Sequence, residues 1–249
     1  MSPRLLAGRA SPYPGAAMLR RGPWIAALAS LALGCSNEPQ TCDLATSELW
    51  MSATISDLNG TVEVEIEFES ADRATTLELC PDRDKLTVNG AKLESIRVFG
   101  EQYYRVEFDS AESNYEIRLE RSGAEDATIS FAMPPSFEIL APTANASVSR
   151  SEPLTLEWAP SWPGEEIQVA VLDDIGSSCI EGLGVFAMVP DEGSYAIGGS
   201  SLAATDSGQE CEVALILTRT RVEDHPAGRF AGGAVSGVLS RGFEIVSTP

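Results

Sequence analysis

The sequence has very little histidine, which argues against several kinds of active site. Its one histidine, His225, lies in Glu223–Gly228, whose proline, glycine and charged residues predict an exposed loop. A serine hydrolase would have to use this histidine, yet the chain has no Gly-x-Ser-x-Gly motif. Zinc is disfavoured because the cysteines include no Cys-x-x-Cys pair. No phosphate-binding loop or dinucleotide motif is present either. We therefore expect a protein that is not an enzyme.

Basic residues are also scarce. The chain has 17 Lys and Arg against 37 Asp and Glu, for a net charge of −20. Residues 1–34 carry four arginines and no acidic residue, so the net charge of the remainder is −24. Such a chain is repelled by phosphate backbones, and we expect no nucleic-acid partner. It is repelled by anionic headgroups as well, so attachment to a membrane would have to rest on a lipid.

Long apolar runs are missing too. The clearest apolar stretch, Trp24–Leu33, has about ten residues, roughly half of what a helix needs to span a bilayer. Arg20 and Arg21 precede this stretch, and Gly34 and Cys35 follow it. A positive start, a short apolar run and a small residue are typical of an export signal.

The run Leu31-Ala32-Leu33-Gly34-Cys35 resembles the bacterial lipobox. The resemblance implies a lipid on Cys35, a signal peptide at 1–34, and attachment to the bacterial cell envelope. Translation starting at Met18 would explain the patternless residues before it, and 35–41 would be a short tether. Ser36, where an aspartate would resemble an inner-membrane retention signal, favours the outer membrane. The alternative is an ordinary secretory signal that leaves Cys35 as a spare thiol.

The remaining four cysteines predict disulfides. Four cysteines allow three pairings. We favour Cys42–Cys80 and Cys179–Cys211, because each pair lies within one half of the chain. Each bond would close a loop of about 30–40 residues, worth about 3.5–4 kcal/mol in the chain-entropy model. Disulfides would place the protein in an oxidising compartment. Buried free thiols are the alternative.

Alternating apolar and polar residues predict an all-β fold. In Thr61–Glu69, the apolar residues alternate strictly with glutamates, as in a strand with one buried and one solvated face. Asn59-Gly60 and Asn89-Gly90 predict tight hairpin turns. Further strands are predicted at 49–56, 74–79, 85–88, 93–99, 103–108, 115–120 and 128–132.

Two prolines at 134 and 135 mark a boundary, because proline cannot continue a ladder. Strand signals restart beyond it, so we predict two tandem immunoglobulin-like β-sandwiches, at 42–133 and 134–249. The Gly-rich segment Gly228–Gly237 is expected to be a long loop or an irregular edge strand. Strands of the second half are predicted at 137–140, 153–158, 167–172, 185–189, 195–197, 212–220 and 243–246.

The segments 137–142, 148–150 and 153–158 resemble the opening of fibronectin-type-III and related immunoglobulin-like domains. The resemblance implies that Trp158 fills the core between two sheets. The whole layout, including the strand Cys211–Arg219, resembles bacterial surface lipoproteins of unassigned activity.

Calcium is the metal that the sequence favours most, because several predicted turns carry the oxygen ligands that this hard cation prefers. No segment matches the EF-hand loop, and solvated turn residues are the alternative reading. The candidate ligands are Asp57, Asn59, Asp82, Asp84, Asp173 and Asp174.

Trp162, between a serine and a proline, is the one tryptophan expected to be exposed, and it is a candidate platform for stacking on sugars. The interpretation that the whole sequence favours is a lipid-anchored envelope protein acting as a non-catalytic binding or structural module. Its partners would be the membrane, through Cys35, and a basic envelope protein or a glycan. The alternatives are a carbohydrate-binding module and a hydrolase that uses a pair of carboxylates.

Overall fold

Strands make up almost all of the regular structure, as the apolar alternation predicts. The computed structural model describes residues 39–73, 75–173, 179–182, 184–224 and 230–249. Within these ranges, the other regular elements are 3-10 turns at Thr41–Asp43, Thr46–Glu48 and Gly199–Leu202. The strands are β1 (Leu49–Leu58), β2 (Thr61–Ser70), β3 (Asp84–Val88), β4 (Ala91–Lys92), β5 (Glu94–Val98), β6 (Glu101–Phe108), β7 (Asn114–Arg121), β8 (Ala127–Ala132), β9 (Glu138–Ala141), β10 (Ser147–Ser149), β11 (Leu154–Ala159), β12 (Glu166–Asp173), β13 (Val185–Pro190), β14 (Ser194–Ile197), β15 (Cys211–Asp224) and β16 (Gly232–Thr248).

The all-β fold class is confirmed, with one predicted strand missing. The described part of 74–79 makes only isolated bridges, from Thr76 to Glu69 and from Glu78 to Gln40. The neighbouring backbone N–H groups bond to different partners, including the hydroxyl of Tyr104, so no ladder forms. Among the described residues, no helix is long and apolar enough to cross a membrane.

Tight turns with positive φ join several of the strands. Asn59 and Gly60 have φ of 51° and 96°, and Asn89 and Gly90 have φ of 48° and 80°. Both turns were predicted from their Asn-Gly pairs, because asparagine and glycine tolerate these angles best. The turn between β5 and β6 has the same conformation but was not predicted, because its first residue is Phe99.

The largest sheet runs through the whole described structure. Its nine strands include the continuous order β13-β12-β15-β16-β1-β2-β6-β5, and β10 pairs with β16. Two smaller sheets, β4-β3-β7-β8 and β14-β11-β9, complete the strand pairing. All pairs are antiparallel except β1 with β16 and β10 with β16, which are parallel.

Two hydrophobic cores lie between the nine-stranded sheet and the two smaller sheets. The first joins one half of the nine-stranded sheet to the four-stranded sheet, with Phe68, Tyr115 and Phe131 fully buried in it. The second joins the other half to the three-stranded sheet and contains Trp158, as predicted. In the second sandwich β9, β11 and β14 oppose β16, β15, β12 and β13, which is the arrangement of an immunoglobulin-like fold.

Strand β16 corrects the prediction of a loop or irregular edge at 228–237. From Gly232 onward this segment is an interior strand, paired with β15 on one side and β1 on the other. Its glycines permit close packing: a Cβ on Gly232 would lie 2.4 Å from the Trp50 ring, and one on Gly237 would lie 2.6 Å from Phe131. The glycine content reflects close approach rather than an irregular backbone.

The second half of the chain contributes to the first core. Val235 of β16 is fully buried among first-core residues, and Phe230 packs against them. The described residues form a single compact unit. The division into two domains at 42–133 and 134–249 stays a prediction.

Candidate functional site

The two disulfides are those predicted. Cys42 is bonded to Cys80 and Cys179 to Cys211, with Cα atoms 5.8 and 5.6 Å apart. The proposed lipidation site, Cys35, lies outside the described residues, as do His225 and Asp174.

A buried arginine fastens the start of the described chain. The Arg121 guanidinium donates hydrogen bonds to the carbonyl oxygens of Thr41 and Leu44 at 2.5 and 3.1 Å, and to Thr46 Oγ1 at 2.9 Å. It also pairs with Asp84 at 3.3 Å, and both side chains are 1 % exposed. Thr41 Oγ1 donates to the second Asp84 oxygen. Together with the Cys42–Cys80 bond, these contacts hold residues 41–46 against the first sandwich.

The calcium candidates Asp57 and Asn59, like Asp84 beside Arg121, bond to partners within the chain. Asp57 is buried and forms a bidentate pair with Arg241, at 2.8 and 2.9 Å, rather than lying solvated in its turn. Asn59 exchanges two hydrogen bonds with the backbone of Gly242. These contacts favour a structural role, because arginine already neutralises the carboxylate.

The other candidates are not gathered into a site. Asp82 is exposed, and Asp173 accepts hydrogen bonds from the backbone N–H groups of Cys179 and Ile180. Across the described ranges, no group of three or more His, Cys, Asp or Glu is placed to hold a metal ion. Calcium binding stays a prediction.

A second buried arginine lies in the other core. Arg219 and Asp191 are both fully buried and pair at 2.6 and 3.0 Å. Arg219 also donates to the carbonyl oxygens of Pro135 and Pro160, and Trp158 Nε1 donates to Asp191 at 2.7 Å. Burial acts to raise the pKa of Asp191, but the hydrogen bonds from Arg219 and Trp158 outweigh it, and the pKa lies below its ordinary value.

The sequence carried a signal for both buried arginines. Each continues an apolar alternation: Arg219 follows Val213, Leu215 and Leu217, and Arg121 follows Ile117 and Leu119. A strand period of two places such an arginine on the core face, where it needs a charged partner. No local pattern identifies the partners, Asp84 and Asp191, because they are distant in sequence from the arginines.

Trp162 is half-buried rather than exposed. Its backbone N–H donates to the carbonyl oxygen of Asp191, and its own carbonyl accepts from Glu165 N–H. These bonds fold the turn back against the second sandwich, which reduces the flat surface available for stacking on a sugar.

The outer face of β2 is acidic. Four glutamates lie there, half-buried, and Arg105 pairs with Glu63 and Glu65 at 3.3 and 3.5 Å. Partial burial raises the pKa of Glu67, and the like charges of Glu69 and Glu101 add to the rise. Beside them, a hydrogen bond to Glu101 raises the pKa of Tyr103 to about 12, with smaller contributions from burial and nearby negative charge. The face is therefore acidic on balance, with part of its charge offset by Arg105 and by Arg73, which pairs with Glu69 at 3.3 Å.

Large apolar side chains are exposed at opposite edges of the nine-stranded sheet. Val98, which ends β5, and Phe99, in the turn that follows, are 43 % and 105 % exposed. Phe186 and Met188, on β13, are 65 % and 59 % exposed. Neither pair was singled out from the sequence. The sequence does mark Phe99 as unusual, because Phe-Gly stands between two strands where an Asn-Gly turn is expected.

Three buried carboxylates already have partners within the chain. Asp57, Asp84 and Asp191 each pair with an arginine. Among the described residues, the acidic face of β2 and the apolar side chains at the two sheet edges are accessible to a partner.

The sequence matches no protein-family model and no curated protein. Among the solved structures that align with it are two of low sequence identity. One is the crystal structure of DIP-gamma IG1+IG2, with 8 % identity and a TM-score of 0.22, over 82 % of this chain and 99 % of that one. The other is the adhesin InvE of Yersinia pseudotuberculosis, with 10 % identity and a TM-score of 0.20, over 78 % of this chain and 58 % of that one. Similarity at this level carries no argument about function.

Proposed function

We propose that this chain is a lipid-anchored protein of the bacterial cell envelope, attached through Cys35 and serving as a non-catalytic binding or structural module. Ser36 after the cysteine favours the outer membrane as its location. Two or more acyl chains on one residue are enough for stable attachment.

The observation that carries the proposal is the way the first described residues are fastened. The Cys42–Cys80 bond and the Arg121 contacts hold residues 41–46 to the first sandwich. Cys35 precedes Cys42 by seven residues, a reach of about 25 Å when fully extended. A lipid on Cys35 would thus hold the sandwich close to the bilayer. The disulfides also suit an oxidising compartment outside the cytoplasm.

The accessible surfaces support a binding or structural role. The acidic outer face of β2 and the net charge of −24 after residue 34 suit a basic envelope protein. A glycan bound through Trp162 and a carboxylate-dependent hydrolase have less support, because Trp162 is half-buried and the buried carboxylates pair with arginines. Calcium binding at the predicted turn residues also remains a proposal.

Intact mass spectrometry of the chain, extracted from membranes of a bacterium that expresses it, tests the anchor. We expect a mature chain that begins at Cys35, carries two or more acyl chains and has no free thiol. The Cys35→Ala variant is the control, and it should be found without lipid and outside the membrane fraction. An unmodified mass for the wild-type mature chain would contradict the proposal.

A further inference from the structure

The turn between β5 and β6 holds an apolar residue in an unfavourable backbone conformation. Phe99 has φ of 52° and Gly100 has φ of 94°, matching the Asn-Gly turns at 59–60 and 89–90. An asparagine eases this conformation with local hydrogen bonds, which phenylalanine lacks. Phe99 gains no core packing in return, because its side chain is fully exposed. Folding therefore does not explain the choice of phenylalanine at this position.

The same turn lies at the end of the sheet where the chain enters the fold. Leu49, which begins β1, pairs with Ser70, which ends β2. Because β2 and β6 are antiparallel, β6 also begins at this end, so the β5–β6 turn lies there. Pro39 and Gly100 line one cavity, together with Thr76 and Arg97.

The tether between this end and Cys35 is short. Cys35 stands four residues before Pro39, and four residues reach at most about 14 Å. A lipid on Cys35 would thus bring the exposed Phe99 to the bilayer surface. Charge cannot provide this contact, since the net charge of −24 after residue 34 is repelled by anionic headgroups, so an apolar side chain is the suitable means.

We propose that Phe99, with Val98 beside it, inserts into the interfacial region of the bilayer and forms a second membrane contact next to the lipid anchor. This inference rests on the anchor proposed above. One phenylalanine is too weak to hold the chain on a membrane alone, but the anchor confines it near the surface, where its effective concentration is high. The two contacts together would fix the orientation of the sandwiches on the membrane.

The first experiment attaches the mature chain to vesicles chemically, so that it does not depend on lipidation in the cell. Residues 35–249, with both disulfides formed, are coupled through the Cys35 thiol to a maleimide lipid in phosphatidylcholine vesicles. Phe99→Trp supplies a probe at the turn. Met188→Trp, at the opposite edge of the same sheet, is the matched control, and the unsubstituted chain gives the background from the native tryptophans.

We expect the emission of the tryptophan at 99 to shift to the blue and to fall about twofold or more in vesicles of brominated phosphatidylcholine. The tryptophan at 188 should show neither change. Equal emission and equal quenching at the two positions, with coupling verified by mass, would overturn the inference. This result would not affect the anchor proposal, because that proposal is tested separately by the mass of the protein extracted from cells.

The second experiment uses Phe99→Asn, which restores the common Asn-Gly turn. We expect this variant to unfold at a urea concentration no lower than the parent chain does, because asparagine suits the turn. Coupled through Cys35 to a single acyl chain, which by itself binds marginally, it should partition into phosphatidylcholine vesicles about fivefold less than the parent. Unchanged partitioning would overturn the inference, and a clear loss of stability would show that Phe99 serves the fold.

Discussion

Arg219 shows how a single buried charge can connect distant segments. Its four hydrogen bonds reach Asp191, Pro135 and Pro160, and its guanidinium lies 4.6 Å from the centre of the Phe137 ring. These partners lie in the linker between the sandwiches, in a loop and at the end of β13. A fully buried ion pair is tolerated only when its remaining donors and acceptors are also satisfied, as they are here.

Arg219 and Arg221 allow a matched comparison on one strand and one face. Arg219→Met would leave Asp191 buried without its partner, and we expect a loss of about 3–5 kcal/mol in the free energy of unfolding. Arg221→Met removes a half-exposed pair with Glu223, and we expect a loss of at most about 1 kcal/mol. Urea unfolding followed by circular dichroism measures both. Similar losses for the two variants would contradict the structural role of Arg219.

At the scale of elements, β16 is the strand on which the pairing depends. It contacts β15 along fourteen residue pairs and β1 along nine. Its approach to β1 relies on Gly233, whose φ of +135° is reserved for glycine and whose added Cβ would lie 1.7 Å from the Met51 carbonyl oxygen.

A second pair of substitutions tests this close approach. Gly233→Ala combines backbone strain with overpacking, and we expect it to lower the free energy of unfolding by about 3–5 kcal/mol. Gly60→Ala also has a positive φ, but its Cβ would meet no atom within 4 Å, so we expect a loss of only about 1–2 kcal/mol from strain. Thermal or urea unfolding distinguishes them. If Gly233→Ala were the milder change, β1 and β16 would not be as close as described.

At the scale of the molecule, the two cores share one sheet. The β15–β16 hairpin extends from the second core, which contains Leu215 and Leu239, into the first, which contains Val235. An element common to both cores couples their unfolding, whereas tandem domains joined by a linker would unfold separately.

We therefore expect a single calorimetric unfolding transition, with equal calorimetric and van't Hoff enthalpies. A fragment of residues 39–133 should fail to fold alone, because it lacks Val235 and leaves β1 as an exposed apolar edge. Supplying residues 230–241 through a flexible linker is the matched control and should restore the fold. A stable 39–133 fragment with native strand content would instead support independent domains.

The features that the sequence predicts are those set by residues close to one another along the chain. Strand periodicity and the Asn-Gly turns are local patterns, and the structure confirms them. The core position of Trp158 was implied by the resemblance to immunoglobulin-like domains, and the structure confirms it as well. The cysteine pairs were also predictable, because each lies within one half of the chain. Phe99 was missed because its significance comes from exposure and from the end of the sheet on which it lies, neither of which a local pattern reports.

The sequence by itself determined the β-strand character and the two Asn-Gly turns of this protein, because strand period and turn residues act over short stretches. It favoured, without fixing, the disulfide pairing that the structure shows. Only the tertiary structure decided that the glycine-rich segment is an interior strand, that Asp84 and Asp191 are the partners of the buried arginines, and that one sheet joins both cores. These features depend on which distant segments fit one another in space, and the free energy of that fit belongs to the packed molecule as a whole.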